Sequence, residues 1–286
     1  MIFLFTTKFF FVRNLKITYN KYVLSLKNKL LIHLMDCQLP NITENFFLDG
    51  KLSIFQPIKG FRAGLDSVLL AASVNAQSGE KVLEIGAGVG TVLFCLMNRI
   101  SGLEATGIEI MEEYHTLSLI NAKRNKINAN LILGDFFTYE NLKKKIFDQI
   151  FFNPPYYPVN NYKISDNKLL DIANIEYPGI LKRMLNFSLK RCKPYGYITL
   201  IHRPARISEI LSILKNGAGD IKILPIVSSN SKSASRIIIR ARKSAKGDTK
   251  LLNPLFLYKD EKKIGQKKQY TSEIHNILRN GDGLNF

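Results

Sequence analysis

Cysteine is scarce in this sequence, and no two cysteines stand in a C-x-x-C pair. The three that occur are far apart: Cys37, Cys95 and Cys192. This spacing argues against a disulfide framework and against a structural zinc site, and it fits a reducing cytoplasm. Histidine is equally sparse, with four scattered residues: His33, His115, His202 and His275. We therefore expect no bound metal in this protein.

Acidic residues are absent from the first 34 positions, which carry six basic residues. The apolar stretch at residues 2–12 is interrupted and too short for a membrane span, which needs about 20 apolar residues. It also lacks the basic start and the small-x-small cleavage site of a signal peptide. We read residues 1–45 as a basic N-terminal extension that is disordered or comes from a mis-called start, with Met35 as the alternative start. We expect no membrane partner and a cytoplasmic location.

Basic residues exceed acidic ones, with 41 Lys and Arg against 23 Asp and Glu and a formal net charge of +18. Nucleic acid is the obvious anionic partner, because each neutralised phosphate releases a counterion. A genome rich in A and T also favours lysine codons, so the charge alone does not decide the partner. The hydrophobic content of 46% is that of an ordinary globular chain.

From about residue 50 the apolar pattern alternates between strands and helices. It predicts strands at 81–85, 103–110, 129–133, 147–152, 197–202, 220–227 and 236–241, and helices at 89–100, 112–124, 180–191 and 205–214. Strands spaced by helices of this length imply βαβ units, hence an α/β fold with a mostly parallel sheet. The closing pair of strands implies one antiparallel strand. We expect one domain at residues 46–250 and a C-terminal extension at 251–286 that packs on it.

A glycine-rich loop, GAGVG, follows the first predicted strand. Its Gly86, Gly88 and Gly90 allow a tight turn and close backbone approach to a ligand. Thr91 stands where dinucleotide-binding loops carry a third small residue, which disfavours pyrophosphate binding and a dehydrogenase. The register fits a loop around a methionine-bearing nucleoside. A simple glycine-rich connection is the alternative.

Acidic residues end the next two strands. Glu109 could accept hydrogen bonds from both hydroxyls of a ribose. Asp135 could accept one from the exocyclic amine of an adenine, with Phe136 against the ring. A solvated strand end and an ordinary turn are the alternatives for Glu109 and Asp135. Signals at the ends of three successive strands favour a nucleoside cofactor.

The fourth predicted strand closes on Asn153-Pro154-Pro155-Tyr156-Tyr157. A conjugated amine is a poor nucleophile because its lone pair is delocalised. The Asn153 side-chain oxygen and the Pro154 carbonyl could each accept one N–H, turning the nitrogen toward tetrahedral geometry in the transition state. Pro155 stiffens the step, and the faces of Tyr156 and Tyr157 could hold a planar target. A plain Asn-Pro turn is the alternative.

These motifs resemble the NPPY amino-methyltransferases of the small-domain methyltransferase superfamily. The resemblance rests on LEIGAGVG at 83–90, NPPY at 153–156 and FRAGLDSVLL at 61–70; the last block is similar to that of bacterial enzymes that methylate N6 of adenine 37 in a valine tRNA. It implies a Rossmann-like class I fold with seven strands in the order 3-2-1-4-5-7-6. It also implies S-adenosylmethionine as cofactor, with Asp66 covering its methionine end and with Glu84, Ala87 and Asn153 among the other residues that bind it.

The preferred interpretation is a monomeric tRNA adenine-N6 methyltransferase. The same tetrad serves glutamine-amide and rRNA guanine-N2 methyltransferases, which remain alternatives, as does an inactive RNA-binding module with this fold. Basic residues that could hold an RNA backbone cluster in two places: Lys143, Lys144 and Lys145, and Lys232, Arg236, Arg240, Arg242, Lys243 and Lys246. A solvated charged face is the alternative reading of both.

Overall fold

The computed structural model describes residues 42–158, 175–176, 178–229, 232–259 and 269–284. The described residues from Thr43 onward belong to one compact unit. The predictions made for residues 1–41, the alternative start at Met35 among them, lie outside the described residues. None of the helices in the described ranges is long and apolar enough to cross a membrane.

The described chain alternates strands and helices over most of its length. The strands are β1 Ile42–Phe47, β2 Leu52–Pro57, β3 Lys81–Ile85, β4 Glu104–Glu109, β5 Asn130–Leu133, β6 Phe147–Phe152, β7 Tyr157–Pro158, β8 Ile175–Glu176, β9 Cys192–His202, β10 Ala218–Val227, β11 Arg236–Lys243, β12 Lys250–Leu251 and β13 Leu255–Phe256. The helices are α1 Leu65–Ser73, α2 Thr91–Arg99, α3 Glu112–Arg124, α4 Glu140–Lys143, α5 Ile180–Arg191, α6 Ile207–Leu214 and α7 Ser272–Asn280.

One large sheet forms the centre of the unit. Its strands stand in the order β12, β10, β11, β9, β6, β3, β4 and β5, with β13 also paired to β10. The pairs that join β9, β6, β3, β4 and β5 are parallel, whereas β11 is antiparallel to both of its neighbours. The seven long strands therefore follow the order 3-2-1-4-5-7-6, and the expected Rossmann-like class I methyltransferase fold is confirmed.

The sheet also contains two strands that we did not predict. β12 and β13 are two residues long and both pair parallel to β10, which extends the expected seven strands to nine. The sequence did not predict β12 and β13, because two residues are too few to show an alternation of apolar and polar side chains. The hairpin of β1 and β2 was also missed, and β1 runs across the boundary that we predicted at residue 45. The domain boundaries themselves stay a prediction.

The strand β9 starts five residues earlier than predicted. Its pairing with β6 shifts register between the Phe147–Cys192 pair and the Gln149–Tyr197 pair, so the residues between are absorbed as a bulge. Tyr195 has a φ of 65°, and a Cβ on Gly196 would lie 2.5 Å from the carbonyl oxygen of Asp148. The Tyr-Gly pair is a genuine irregularity, but it lies inside a strand and does not precede one.

The order of the strands determines where a ligand can bind. The chain leaves β3 toward β4 and β5 on one side and continues through β6 and β9 on the other, so β3 and β6 flank a topological switch point. In open α/β sheets, ligands bind at the carboxyl ends of the strands beside such a point. Ile85 and Phe152, the last residues of β3 and β6, are buried in the core that supports this edge, and burial of each contributes about 1.5–3 kcal/mol.

Candidate active site

A cavity of about 490 Å³ opens at the carboxyl ends of β3, β4, β5 and β6. Each of these strands supplies one residue that the sequence singled out: Gly86, Glu109, Asp135 and Asn153. Their meeting follows from the parallel pairing, because the carboxyl ends of neighbouring parallel strands lie at one edge of the sheet. The cavity is thus the place where the predicted cofactor and substrate groups come together.

The glycine loop enters this cavity with part of its backbone. Gly86 and Gly88 line the cavity and have φ angles of 73° and 54°, in the left-handed region that favours glycine. The N–H groups of Gly86 and Ala87 donate to the Ile108 carbonyl oxygen at 2.9 Å and 3.0 Å, which ties the loop to β4. Among the described wall residues, neither Ala87 nor Gly90 occurs. Gly90 begins α2 instead, and a Cβ there would lie 2.4 Å from the Phe94 ring.

Glu109 holds the loop from the end of β4. Its Oε2 accepts a hydrogen bond from the Gly88 N–H at 2.8 Å, and its Oε1 accepts one from the Met111 N–H at 2.9 Å. Burial raises the pKa of this carboxyl, while the backbone donors act in the opposite direction. A carboxylate oxygen has two lone pairs, so each oxygen keeps acceptor capacity after these bonds. Glu109 lines the cavity with this remaining acceptor capacity, and its contact with the hydroxyl groups of a ribose stays a prediction.

Glu84 lies behind the loop and away from the cavity wall. It is 2% exposed, and its Oε2 accepts a hydrogen bond from the Leu93 N–H at 3.0 Å. Burial raises its pKa well above the ordinary value. The first N–H groups of a helix have no partner within it, so Glu84 anchors the start of α2. A contact between Glu84 and a cofactor stays a prediction. The structure shows only that Glu84 supports the helix that follows the glycine loop.

Asp135 and Phe136 lie at the far end of the cavity. The Asp135 Oδ1 accepts from the Phe137 N–H at 2.9 Å, and its Oδ2 lies 3.4 Å from the Arg183 guanidinium. Phe136 packs edge-on against Phe187, with ring centroids 5.3 Å apart. The carboxylate keeps lone pairs and the ring supplies an apolar wall, so both fit the adenine end of the expected S-adenosylmethionine.

Arg183 is a cavity residue that the sequence reading missed. It comes from α5, its guanidinium lies 4.4 Å from the Phe137 ring centroid, and it lines the wall beside Asp135. Met111, Tyr114 and Met184 are further wall residues without a sequence signal. Their patterns are those of ordinary helix residues, and only the packing of α3 and α5 beside the strand ends brings them to the cavity.

Asn153, Pro154, Pro155 and Tyr156 all line the cavity at the end of β6. The Asn153 Oδ1 position lies 2.6 Å from the Tyr156 hydroxyl. Burial, then the charge of Asp66, raises the pKa of this phenol well above its ordinary value, so it stays protonated. Tyr157 belongs to β7, but its side chain lies outside the described residues. Its predicted stacking role stays a prediction.

Asp66 reaches the site from α1 through Tyr156. Its Oδ2 accepts from the Tyr156 hydroxyl at 3.1 Å and from the Arg236 Nε at 2.8 Å. The Arg236 guanidinium also lies over the Tyr156 ring, 4.9 Å from its centroid. Asp66 does not occur among the described wall residues of the cavity. Its expected contact with the methionine end of a cofactor stays a prediction, and its observed partners are the tyrosine of the tetrad and an arginine.

His202 packs against Tyr156 from the end of β9. Its ring centroid lies 5.2 Å from that of Tyr156, with a tilt of 57°. The side chain is fully buried, and its Nδ1 accepts a hydrogen bond from the Arg203 N–H at 2.8 Å. Burial lowers the pKa of His202 to about 4, so the ring is neutral at physiological pH.

The predicted basic cluster on β11 is only partly open to a partner. Arg236 is paired with Asp66, and Arg240 is 8% exposed and lies over the Tyr197 ring at 5.3 Å. The prediction that these two hold an RNA backbone does not fit their burial and pairing. Lys144, Lys145, Lys232 and Lys246 are exposed. In the described ranges, no group of three or more His, Cys, Asp or Glu side chains could hold a metal ion.

The sequence matches known proteins over its central part. A family model for the methyltransferase small domain matches residues 62–169. A candidate protein N5-glutamine methyltransferase of Methanocaldococcus jannaschii is 32% identical over 114 residues, which cover 40% of this chain and 54% of that protein. The tRNA1(Val) (adenine(37)-N6)-methyltransferase of Glaesserella parasuis is 28% identical over 114 residues, covering 39% and 47%. The chain therefore spans about half the length of these two relatives.

A longer match and two solved structures extend the comparison. The tRNA1(Val) (adenine(37)-N6)-methyltransferase of Aliivibrio fischeri is 26% identical over 183 residues, which cover 63% of this chain and 76% of that enzyme. A predicted O-methyltransferase from Agrobacterium tumefaciens superposes with a TM-score of 0.61 at 18% identity, covering 76% and 97% of the two chains. A methyltransferase from Pyrococcus furiosus gives 0.52 at 20% identity, covering 68% and 90%. The chain therefore shares its fold with these two solved structures, and its central part, residues 62–169, is similar to the methyltransferase small domain.

Proposed function

We propose that this protein transfers a methyl group from S-adenosylmethionine to the exocyclic N6 amine of an adenine in tRNA. The observation that carries the proposal is one cavity lined by two chemically different groups of residues. Gly86, Gly88 and Glu109 suit a nucleoside cofactor, and Asn153 and Pro154 suit a target amine. Several relatives are named tRNA1(Val) (adenine(37)-N6)-methyltransferases, which favours tRNA adenine among the amines that such a site can methylate.

The cofactor assignment follows the strand ends. Glu109 would accept hydrogen bonds from the ribose hydroxyls, and Asp135 would accept one from the exocyclic amine of the cofactor's adenine, for which Phe136 would supply an apolar wall. The backbone at Gly86 and Gly88 would hold the methionine portion, because a residue without Cβ allows close approach of a ligand. When bound, S-adenosylmethionine supplies an electrophilic methyl group on a sulfonium sulfur.

Asn153 and Pro154 prepare the target nitrogen. The Asn153 side-chain oxygen accepts one N–H of the amine and the Pro154 carbonyl accepts the other, which aims the nitrogen lone pair at the methyl group. These acceptors gain strength as positive charge develops on the nitrogen, so they stabilise the transition state more than the ground state. A nitrogen–carbon bond forms while the carbon–sulfur bond breaks, and the acidic proton of the product amine leaves to water. The reaction needs no general base before transfer and no metal ion.

RNA fits the site and the charge of the protein. An adenine in a tRNA loop is already partly unstacked, so its entry into a cavity costs less than extraction of a base from a duplex. The formal net charge of +18 favours encounter with a polyanion. We expect the enzyme to act as a monomer.

A glutamine amide is the second candidate substrate. The amide nitrogen presents the same conjugated geometry to Asn153 and Pro154, and the relative from Methanocaldococcus jannaschii carries that activity in its name. An rRNA guanine N2 amine would also suit these two acceptors. A protein that keeps the fold and binds RNA without catalysis is the candidate from another class.

A labelled-methyl assay separates these candidates. The purified full-length protein would be offered labelled S-adenosylmethionine with unmodified bulk tRNA, with rRNA and with a protein extract, each in the presence of EDTA. Nucleoside mass spectrometry would follow. We expect label as N6-methyladenosine in tRNA. Label in guanosine of rRNA or in glutamine of protein would overturn the adenine assignment, and cofactor binding without any transfer would favour the binding protein.

A further inference from the structure

The Tyr156 hydroxyl lies between two oxygen positions. Asp66 Oδ2 is 3.1 Å away, and the Oδ1 position of Asn153 is 2.6 Å away. A phenol has one hydrogen to donate, so it can serve only one of two acceptors. If both neighbours were acceptors, one of these short contacts would join lone pairs without a hydrogen between them.

Asp66 is the stronger of the two acceptors for the Tyr156 hydroxyl hydrogen. Its Oδ2 also accepts from the Arg236 Nε at 2.8 Å, so the carboxylate is held in place by an ion pair. A hydrogen bond to a charged acceptor is roughly twice as strong as one between neutral groups. The Tyr156 hydroxyl therefore donates to Asp66, and its oxygen is left with lone pairs toward Asn153.

The two ends of the Asn153 amide have nearly the same shape, so hydrogen bonding determines which end faces the phenol. A donor is required there, and only the Nδ2 group of the amide is a donor. We infer that Asp66, acting through the Tyr156 hydroxyl, turns the Asn153 amide so that its nitrogen faces Tyr156 and its oxygen is left for the substrate amine. Among the described residues, the other end of this amide has no hydrogen-bond partner, and Asn153 lines the cavity.

This inference rests on the proposed function and adds a positioning residue to it. Without the Asp66–Tyr156 pair, the amide can present its N–H group to an incoming N–H, which opposes binding in the transition state. With the pair, the acceptor is already oriented when the substrate arrives, and no reorganisation is needed. On this inference, Asp66 affects transfer through Tyr156 and Asn153, whatever contact it makes with the cofactor.

A double-mutant cycle tests this chain of contacts. Tyr156→Phe keeps the aromatic ring and removes the hydroxyl, and Asp66→Ala removes its acceptor. We expect each to lower kcat about tenfold, as for one hydrogen bond lost in the transition state, and the double variant to fall no further. Asp66→Asn keeps an acceptor and should retain more activity than Asp66→Ala. The dissociation constant of the cofactor should stay unchanged in all four, which also shows that they fold.

Two outcomes of the cycle would overturn the inference. Multiplying losses in the double variant would mean that Asp66 and Tyr156 act independently. A weaker cofactor affinity in Asp66→Ala with an unchanged kcat would mean that Asp66 acts on the cofactor and not through Tyr156. The matched controls are Asp49→Ala, at an exposed ion pair with Arg279, and Tyr270→Phe, at the stacked pair with Tyr258.

A second measurement needs no turnover, so it separates this inference from the proposed function. NMR of the full-length protein would follow hydrogen exchange at the Asn153 side-chain NH₂ group, whose signals are identified by their loss in Asn153→Asp. We expect slow exchange that becomes faster in Tyr156→Phe. Equal exchange in both proteins would refute the orientation, even if methyl transfer were demonstrated. A protein without transfer activity but with the protected amide would refute the proposed function alone.

Discussion

Glu109 and Gly88, 21 positions apart, are joined by a hydrogen bond of 2.8 Å from the glycine N–H to the carboxylate Oε2. The bond links the end of β4 to the loop after β3. Because the second oxygen of Glu109 accepts from Met111, the carboxylate orders two backbone segments of the cavity wall at once. The residue that we expect to hold the ribose thus also shapes the glycine loop, which we expect to hold the rest of the cofactor.

Replacement of Glu109 by Gln should weaken cofactor binding by about tenfold or more. One end of the amide would present an N–H to a backbone N–H, and one backbone donor would lose its acceptor. Isothermal titration with S-adenosylhomocysteine would measure the dissociation constant. Glu104→Gln is the matched control, because Glu104 lies at the exposed start of the same strand. An unchanged affinity in Glu109→Gln would refute this role.

Substitution of Asn153 by Ala should reduce methyl transfer by about 10²-fold or more, as for a lost transition-state acceptor, and leave cofactor affinity nearly unchanged. Single-turnover transfer and calorimetric titration would measure the two quantities on the same preparation. Asn216→Ala removes an exposed asparagine of the same type and should be active. If transfer survived in Asn153→Ala, the chemistry assigned to the tetrad would be wrong.

Gly90 should tolerate alanine less well than Gly50 does. Both have φ near 90°, but an added Cβ at Gly50 meets no atom within 4 Å, whereas at Gly90 it lies 2.4 Å from the Phe94 ring. The left-handed strain is common to both variants, and the additional overpacking should cost Gly90→Ala about 1–3 kcal/mol more. Urea unfolding gives both free energies of unfolding, and equal values would show that Phe94 yields at no cost.

The buried His202 should make stability depend on pH. Its pKa is about 4 in the folded protein and 6.5 in a free side chain, so between these values the unfolded chain binds a proton that the folded protein does not. The free energy of unfolding therefore falls as pH drops through this window, by about 2 kcal/mol between pH 7 and pH 5 from this residue.

His202→Gln should remove that part of the pH dependence. Urea unfolding at pH 7 and pH 5 would compare the variant with the wild type, and contributions of other groups cancel in the difference. His275→Gln, at an exposed position of α7, is the matched control. If His202→Gln lost as much stability as the wild type on acidification, His202 would not be the titrating group.

Many of the strands and helices could be predicted from short segments of the sequence. The bounds predicted for β3, β6, α3 and α5 agree with the structure, because an apolar run or a helical period is a property of a short segment and reports directly on burial. The bulge in β9 could not be predicted from the sequence, because a Tyr-Gly pair such as Tyr195-Gly196 is equally compatible with a turn and with a bulge inside a strand. The short strands β12 and β13 are defined only by their backbone pairing with the edge of β10, which a local sequence pattern does not contain.

The sequence by itself determined which residue types follow the strands, and so placed Gly86, Glu109, Asp135 and Asn153 at one edge of a parallel sheet. Only the tertiary structure decided which side chains meet there. Asp66 and Arg236 are 170 positions apart, and their pairing beside Tyr156 depends on how α1 and β11 pack around the end of β6. A periodic pattern reports whether a side chain is buried, but the partner of a buried polar group is set by packing between distant segments, which no local pattern encodes.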